Sequence, residues 1–416
     1  MPPTSVRRCD NPTFSGKLDT MRRNRASTRA RSSVDAETLV KMARRLAESG
    51  SRLEDQLWQR RLIEVLNDRL ARRSDEAIEA ALDDLARTSQ RAYDDLADLA
   101  ESCAESTQVD IDGKPHDVLL LAVPLLAWSR YKLPTTTLSS AVLDSLRAQL
   151  QGHLVARTAR VALADYLYAI DQLPEAFSEV RRLTEQLGDA AAEGIVLHVD
   201  PKKLREPVGM LADTRYLIAA IATPAGSPLF HWQELGVDPD AKIAALSTFR
   251  EQAAPILQPA LTGCRFRVLS PTAFHSGLRF ADRELRQFSL EAAISFLKLA
   301  YDLAPASLSA AAGLFEDPQG NAGAEVRIGI AKANDDDAVI EGVVWPLLGD
   351  DEDQTMEDVE KALRALGISR PIMHAHRFPL EFCDDCGAPM FPNAAGHVVH
   401  AEPPEEAEDR PATPLH

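Results

Sequence analysis

Apolar positions follow a helical period through the first third of the chain. After Asp35, Leu39, Met42, Ala43 and Leu46 share one face, and Gly50 interrupts it. From Arg52 to Arg73 a second helix aligns Trp58, Leu62, Leu66 and Leu70, with a parallel ridge through Leu53 and Leu57. Ser74 stands at an N-cap position, and Asp75 and Glu76 suit the positive end of a helix. A third helix then carries Ile78, Leu82, Leu85, Ser89, Ala92, Leu96, Leu99 and Cys103 at alternating steps of four and three, a heptad seam. The pattern predicts a helical hairpin over 35–106, its seam closed within the chain or by a partner. Cys103 lies on that seam and reads as a small core residue.

Beyond residue 107 the period shortens. "TQVDIDGKPHDVLLLAVPLLAW" predicts two strands around the turn Asp112-Gly113, the second apolar enough to be fully buried. A helix from Ser139 to Leu154, the strand "RVALADYLYAI" and a helix from Pro174 to Leu187 follow. The order repeats as "RYLIAAIATPAG", a helix from Pro239 to Leu257 and the strand "CRFRVLSPTAF". A third and shorter instance is "AVIEGVVWPLLG", a helix from Met356 to Leu366 and "RPIMHAHRF". Before it comes a helix from Leu285 to Leu303. An antiparallel meander over Ser307 to Phe315, Ala324 to Lys332 and Ala338 to Trp345 leads on from that helix.

These patterns predict an α/β protein of mixed α+β type: N-terminal helical hairpin, mixed-sheet body of repeated strand-helix-strand units, C-terminal zinc-knuckle-like segment. The expected boundaries are a disordered basic arm over 1–34, the hairpin over 35–106, and α/β subdomains over 107–212 and 213–284. The helix, meander and third unit occupy 285–372, the knuckle-like segment 373–400 and a disordered acidic tail 401–416. Met21 is an alternative start to Met1.

Charge narrows the partners. The formal charge is −17, yet residues 1–34 hold eight Arg or Lys against two Asp, leaving about −23 on the remainder. Such a body repels phosphate backbones, so nucleic acid is disfavoured, the basic arm apart. No apolar run is long enough to span a membrane, and no apolar core follows the N-terminal arginines. Five cysteines, of which only Cys383 and Cys386 are close in sequence, point to a reducing compartment and a cytoplasmic location. Expected partners are proteins, or a second copy, met through the N-terminal helices.

Absent motifs remove further classes. The chain has no GxxxxGK[ST] loop, no GxGxxG, no HExxH and no GxSxG. Ser295 and Lys298 form an S-x-x-K pair on one helical turn, but a chance four-residue pattern with an exposed lysine is the plainer reading. The acidic runs at Asp335–Asp337 and Asp350–Asp353 lack the spacing and glycine of a calcium loop. They read as solvated loops, with Thr355 and Asp358 capping the helix that follows.

The chemistry concentrates near the C-terminus. "CDDCGAP" places Cys383 and Cys386 in a C-x-x-C-G turn that can aim two thiolates at one ion. His397 and His400 follow after a short return, giving C-x2-C-x10-H-x2-H; His374 and His376 lie upstream as alternative ligands. Two cysteines and two histidines fill tetrahedral zinc, and a closed site is structural. A redox use is opposed by Asp384 and Asp385, whose charges should raise the thiol pKa values. A catalytic metal would need water as one ligand, with Asp384 or Asp385 as base. A binding or regulatory role is therefore preferred over a metal-dependent hydrolase or a nucleic-acid-associated accessory role, and an enzyme is not expected.

The segments "RLAESGSRLEDQLWQ", "RFPLEFCDDCGAPMFPN" and "VVHAE" resemble a bacterial protein family catalogued only as a domain of unknown function, over nearly the whole chain from about Met21. The resemblance implies a soluble bacterial protein and brings neither an activity nor catalytic residues.

Overall fold

Four helices open the chain in a computed structural model that describes residues 34–208, 211–234, 236–317 and 323–404. The expected basic arm and most of the expected acidic tail lie outside these residues. The helices are α1 (Val34–Ala47), α2 (Arg52–Ala71), α3 (Asp75–Thr88) and α4 (Gln90–Glu105). The predicted third helix is therefore two. Ser89 breaks it by taking an extended conformation and capping α4, its hydroxyl accepting from the Ala92 N–H at 3.4 Å. The heptad seam folds back on itself: Ile78, Leu85, Ala92, Leu96 and Cys103 are all buried within the chain. Ser74 precedes α3 without a side-chain capping bond.

The seven-stranded sheet that follows is built on β1 (Ser106–Ile111) and β2 (Lys114–Trp128). They form the predicted hairpin, with Asp112 and Gly113 both at positive φ. Then come β3 (Thr136–Thr137), α5 (Ser140–His153), β4 (Arg160–Ala169), α6 (Phe177–Glu193), β5 (Ala212–Pro224), α7 (Ala241–Leu257), β6 (Arg265–Val268) and β7 (Thr272–Ala273). The order is β1-β2-β5-β4-β3, with β6 and β7 also on β2, and every pairing is antiparallel. The stretches 107–212 and 213–284 thus do not form separate sheets, because β5 enters between β2 and β4. β2 is apolar throughout because both faces are covered. Leu120, Ala122 and Leu126 belong to the core that includes residues of α6 and the N-terminal helices; Leu121, Val123 and Leu125 belong to the core with residues of α5 and α7. Pro124 is tolerated in this central strand because its carbonyl, and so the side of its missing N–H, faces Leu269, in the interval between β7 and β6.

A single long helix, α8 (Phe274–Tyr301), joins this sheet to the next. It begins at Phe274 instead of the expected Leu285, so "SPTAF" supplies only the short β7 before turning helical. Gly277 lets α8 settle on β2, since a Cβ there would lie 2.9 Å from that of Ala122. Arg286 of α8 is buried and donates to the Leu347 carbonyl and, at 2.7 Å, to Asp350.

The second sheet comprises the expected meander, β8 (Leu308–Glu316), β9 (Glu325–Lys332) and β10 (Glu341–Pro346). After α9 (Glu352–Ala365), β11 (Ile372–Met373) and β12 (Phe378–Pro379) add to β8 in parallel, and β13 (Phe391–Pro392) pairs with β14 (Val398–Val399). Asp351, not Thr355, caps α9 by accepting from the Gln354 N–H at 3.0 Å. Mixed α/β is the architecture. Among the described residues no helix is long and apolar enough to cross a membrane.

Polar contacts dock the helical bundle on the sheet. Asp75 accepts from the Ser178 backbone N–H at 2.9 Å and from its hydroxyl, and Arg181 donates to the carbonyls of Cys103 and Ser106 at 2.8 and 3.0 Å. Glu105 accepts from the His275 backbone N–H at 2.9 Å. Burial pushes Glu105 up to about 7, the nearby Glu101 adding to it, and burial with the Arg279 charge pushes His275 down to about 4. A carboxyl whose folded pKa is raised contributes stability below its unfolded pKa and loses it as pH rises through the folded value. Glu105→Gln, which keeps an acceptor for His275, is expected to reduce the stability lost between pH 5 and pH 8 by about 1–2 kcal/mol after discounting for solvent screening. Urea unfolding of both proteins at the two pH values measures this, and equal slopes against pH refute it.

Candidate metal centre

Side chains on the second sheet alternate between two faces. Ala310, Ala312, Val326, Ile328, Ile330, Val343 and Trp345 enter the main core, which also includes residues of α8 and α9. The opposite face has no side chain at three points, Gly313 on β8, Gly329 on β9 and Gly342 on β10, with Gly342 directly across from Gly329. The C-terminal segment lies on this cleared track. The ring of Phe378 covers Gly313, the carbonyl of Pro392 meets Gly329 and the ring of Phe391 covers Gly342. A Cβ at any of the three would collide with these atoms. Phe378 also stacks on Phe315 at 4.9 Å, while Phe391, Val339, Val344 and Ala401 form a small separate core.

Arg327 reaches out of β9 at the centre of this face, fully buried. Its Nε donates to Glu325 at 2.7 Å, and its Nη1 donates to two carbonyls, those of Glu381 and Met390. Phe315 and Phe382 enclose the guanidinium at 4.7 and 4.9 Å. Glu381 and Met390 flank the cysteine turn, so one buried cation holds both of its arms.

The turn itself is a tight backbone knuckle. Cys383 donates its N–H to the Ala388 carbonyl at 2.8 Å, and Gly387, at φ +71°, donates to the Cys383 carbonyl at 2.8 Å. Backbone N–H groups of Cys386 and Asp385 point at the Cys383 sulfur and hold its thiol below the usual range, against the charge of Asp385. The Asp385 charge acts in the expected direction, but the backbone donors, invisible in a list of charges, and the Cys386 side chain outweigh it at Cys383.

His400 completes a group of three. Its Nε2 is 3.3 Å from the Cys386 sulfur, and the donor atoms of Cys383, Cys386 and His400 all lie within 4.8 Å of one another. Tetrahedral zinc with sulfur and nitrogen ligands places neighbouring donor atoms about 3.6–3.8 Å apart, so the group fits the ion. His397 is outside it. His397 directly precedes β14 and His400 directly follows it. The His397 side chain is exposed, and its backbone N–H is held by Asn393 at 2.8 Å. His374 bonds the Asn393 carbonyl through Nε2 at 2.9 Å, and His376 packs on the Phe378 ring; both stand against Gly396, at the β13–β14 turn.

Other sequence candidates have structural partners. Asp350 pairs with Arg286 and Arg283, Glu352 with Arg377, and Asp335 accepts from the Ala338 N–H. Among the described residues neither acidic run gathers into a metal-ligating group. Ser295 and Lys298 lie on α8 with the lysine exposed. Arg327 and the glycine track escaped the sequence reading, although one glycine in each meander strand was a visible signal.

Gly342→Val is expected to displace Phe391 and release the C-terminal segment locally, at a cost of about 1–3 kcal/mol. Arg327→Leu leaves Glu325 and two carbonyls without their cation and is expected to cost about 3–5 kcal/mol. Proteolysis near residues 380–390 should accelerate in both variants while far-ultraviolet circular dichroism changes little; unchanged cleavage would show that neither contact seats the segment.

Proteins described as "Protein of unknown function (DUF2863)" share a sequence pattern with residues 24–413 of this chain. No curated protein and no solved structure matches it. By that match, which spans most of its length, the chain belongs to the DUF2863 family.

Proposed function

We propose that this is a binding or regulatory protein whose C-terminal segment is stapled by a structural zinc ion on Cys383, Cys386 and His400, its fourth position closed by a further protein group. The observation that carries this reading is the approach of three soft and borderline donors from two separate strand connections. Bound zinc would cross-link the knuckle to the chain after β14, adding a bond between segments otherwise joined by few backbone contacts. Arg327 holds the knuckle arms from beneath, so the sheet and the ion would restrain the same turn from opposite sides. Such a site suits reduced thiols and a cytoplasmic setting.

One observation favours a second reading, metal-dependent hydrolysis: three protein ligands leave a fourth position for water. Against it, Cys386, Asp384 and Asp385 are exposed, and charge stabilisation in catalysis depends on excluding water. The structural reading has the stronger support. For partners, the exposed Leu53 and Leu57 on α2 support contact with another protein through the N-terminal helices.

Protein purified without chelator is expected to carry about one zinc per chain, as a single site implies. Cys383→Ser and His400→Ala should each lose the ion and lower the melting temperature, whereas His397→Ala should retain both. Metal-free wild type, or zinc retained in Cys383→Ser, would refute the site. Cobalt substitution separates the two readings: a tetrahedral spectrum insensitive to added azide fits the staple, and an azide-dependent one fits an open catalytic position.

A further inference from the structure

A cleft of about 540 Å³ opens beside β4, lined on one side by Lys132 to Thr135 and on the other by the segment from Pro201 to Pro207, with Tyr166 between them. Both walls are held by polar groups. Arg215 on β5, almost wholly buried and paired with Asp213 at 2.8 Å, donates to the carbonyls of Leu133 and Pro134 at 3.1 and 2.9 Å. That pair is shielded from solvent and fixes the first wall. The second wall is tied to the rest of the chain at two places and closed on itself at a third. Gln172 donates to the Arg205 carbonyl at 3.0 Å, Asp171 accepts from the Val208 N–H at 3.2 Å, and Asp200 accepts from the Lys202 N–H at 3.1 Å. Upstream, the irregularity in β4 between Leu163 and Leu167 contains Asp165, which accepts from the Val199 N–H and bonds His198 Nδ1, both at 2.8 Å.

The charge of the cleft opposes that of the chain. Lys132, Lys202 and Arg205 line it with Glu206 as the one acid among its lining residues, an excess of positive charge on a molecule of formal charge −17. Glu206 bonds Lys132 at 2.9 Å, and that contact holds its carboxyl below the usual range. Arg205 reaches Glu175 at 3.6 Å, while Lys202 has no acidic partner within 4 Å among the described residues. Leu133, Pro134 and Leu204 add apolar surface beside the cations. Two held walls, cations on both of them and adjacent apolar surface are the ingredients of a small-molecule site.

We infer that this cleft binds a small organic anion, carrying a phosphate or carboxylate group that engages Lys202 and Arg205 and takes the place of Glu206 on Lys132. The organic part lies against Leu133, Pro134 and Leu204. The site is independent of the C-terminal metal. It gives the chain a ligand whose binding would draw together the loops after β2 and before β5.

The test is titration calorimetry on the full chain with methyl phosphate, inorganic phosphate and succinate, each at constant ionic strength. Saturable binding of at least one probe at one site per chain is expected, and comparison of the phosphate and dicarboxylate probes identifies the preferred anion. The double variant Lys202→Glu with Arg205→Glu should bind about tenfold more weakly or worse, as loss of two charge contacts implies. Both side chains are exposed, so its ligand-free melting temperature should match wild type. Glu206→Gln, which removes the competing carboxylate, should bind more tightly than wild type. No saturable binding of any probe at millimolar concentration would overturn the inference. So would equal affinity in the charge-reversal variant, or binding in Glu206→Gln no tighter than in wild type.

Discussion

The thirteen-residue pairing of β2 with β5 is the constraint from which the rest of the molecule follows. Both strands are buried on both faces, largely through apolar side chains, so each face of the central sheet needs cover. One face takes α5 and α7. The other takes α6 and α8, and the N-terminal bundle docks on both, on α6 through Asp75 and Arg181 and on α8 through the bond from the His275 N–H to Glu105. The same core continues along α8, where Leu290, Ala293, Ile294 and Leu297 join one cluster with Ile328, Ile330 and Val343 of the meander.

The second sheet meets the same requirement differently. Its inner face packs on α8 and α9, but among the described residues no helix covers the outer face. The C-terminal segment does so with little regular structure of its own, and it can approach closely only because β8, β9 and β10 each place a glycine there. Arg327 is the polar counterpart of that close approach. A buried guanidinium demands acceptors, and the carbonyls of Glu381 and Met390 supply them, so the desolvation of one charge fixes the position of the cysteine turn. The candidate metal centre is consequently placed by the sheet beneath it as much as by its own ligands.

The backbone also revises the chemistry of Cys383. Charge counting treats Asp384 and Asp385 as the dominant influence on that thiol. In the folded turn the backbone N–H groups of Cys386 and Asp385 outweigh the Asp385 charge and favour the thiolate, a form that suits metal ligation.

Periodicity alone determined the mixed α/β class, the β1–β2 hairpin, the meander and most helix positions, because each rests on contacts between near neighbours or on a repeating apolar face. Cys383 and Cys386 were legible for the same reason: a C-x-x-C-G turn closes within five residues. The break at Ser89, the early start of α8 and the merging of two expected subdomains into one sheet were decided by tertiary packing. Strand order in particular is set by which apolar faces find cover, and local pattern carries no record of it. The choice of His400 over His397 was likewise spatial. His397 is the nearer to Cys386 in sequence, yet the donor atom grouped with the two cysteines is that of His400, because an ion joins atoms that are close in space and sequence spacing does not specify that.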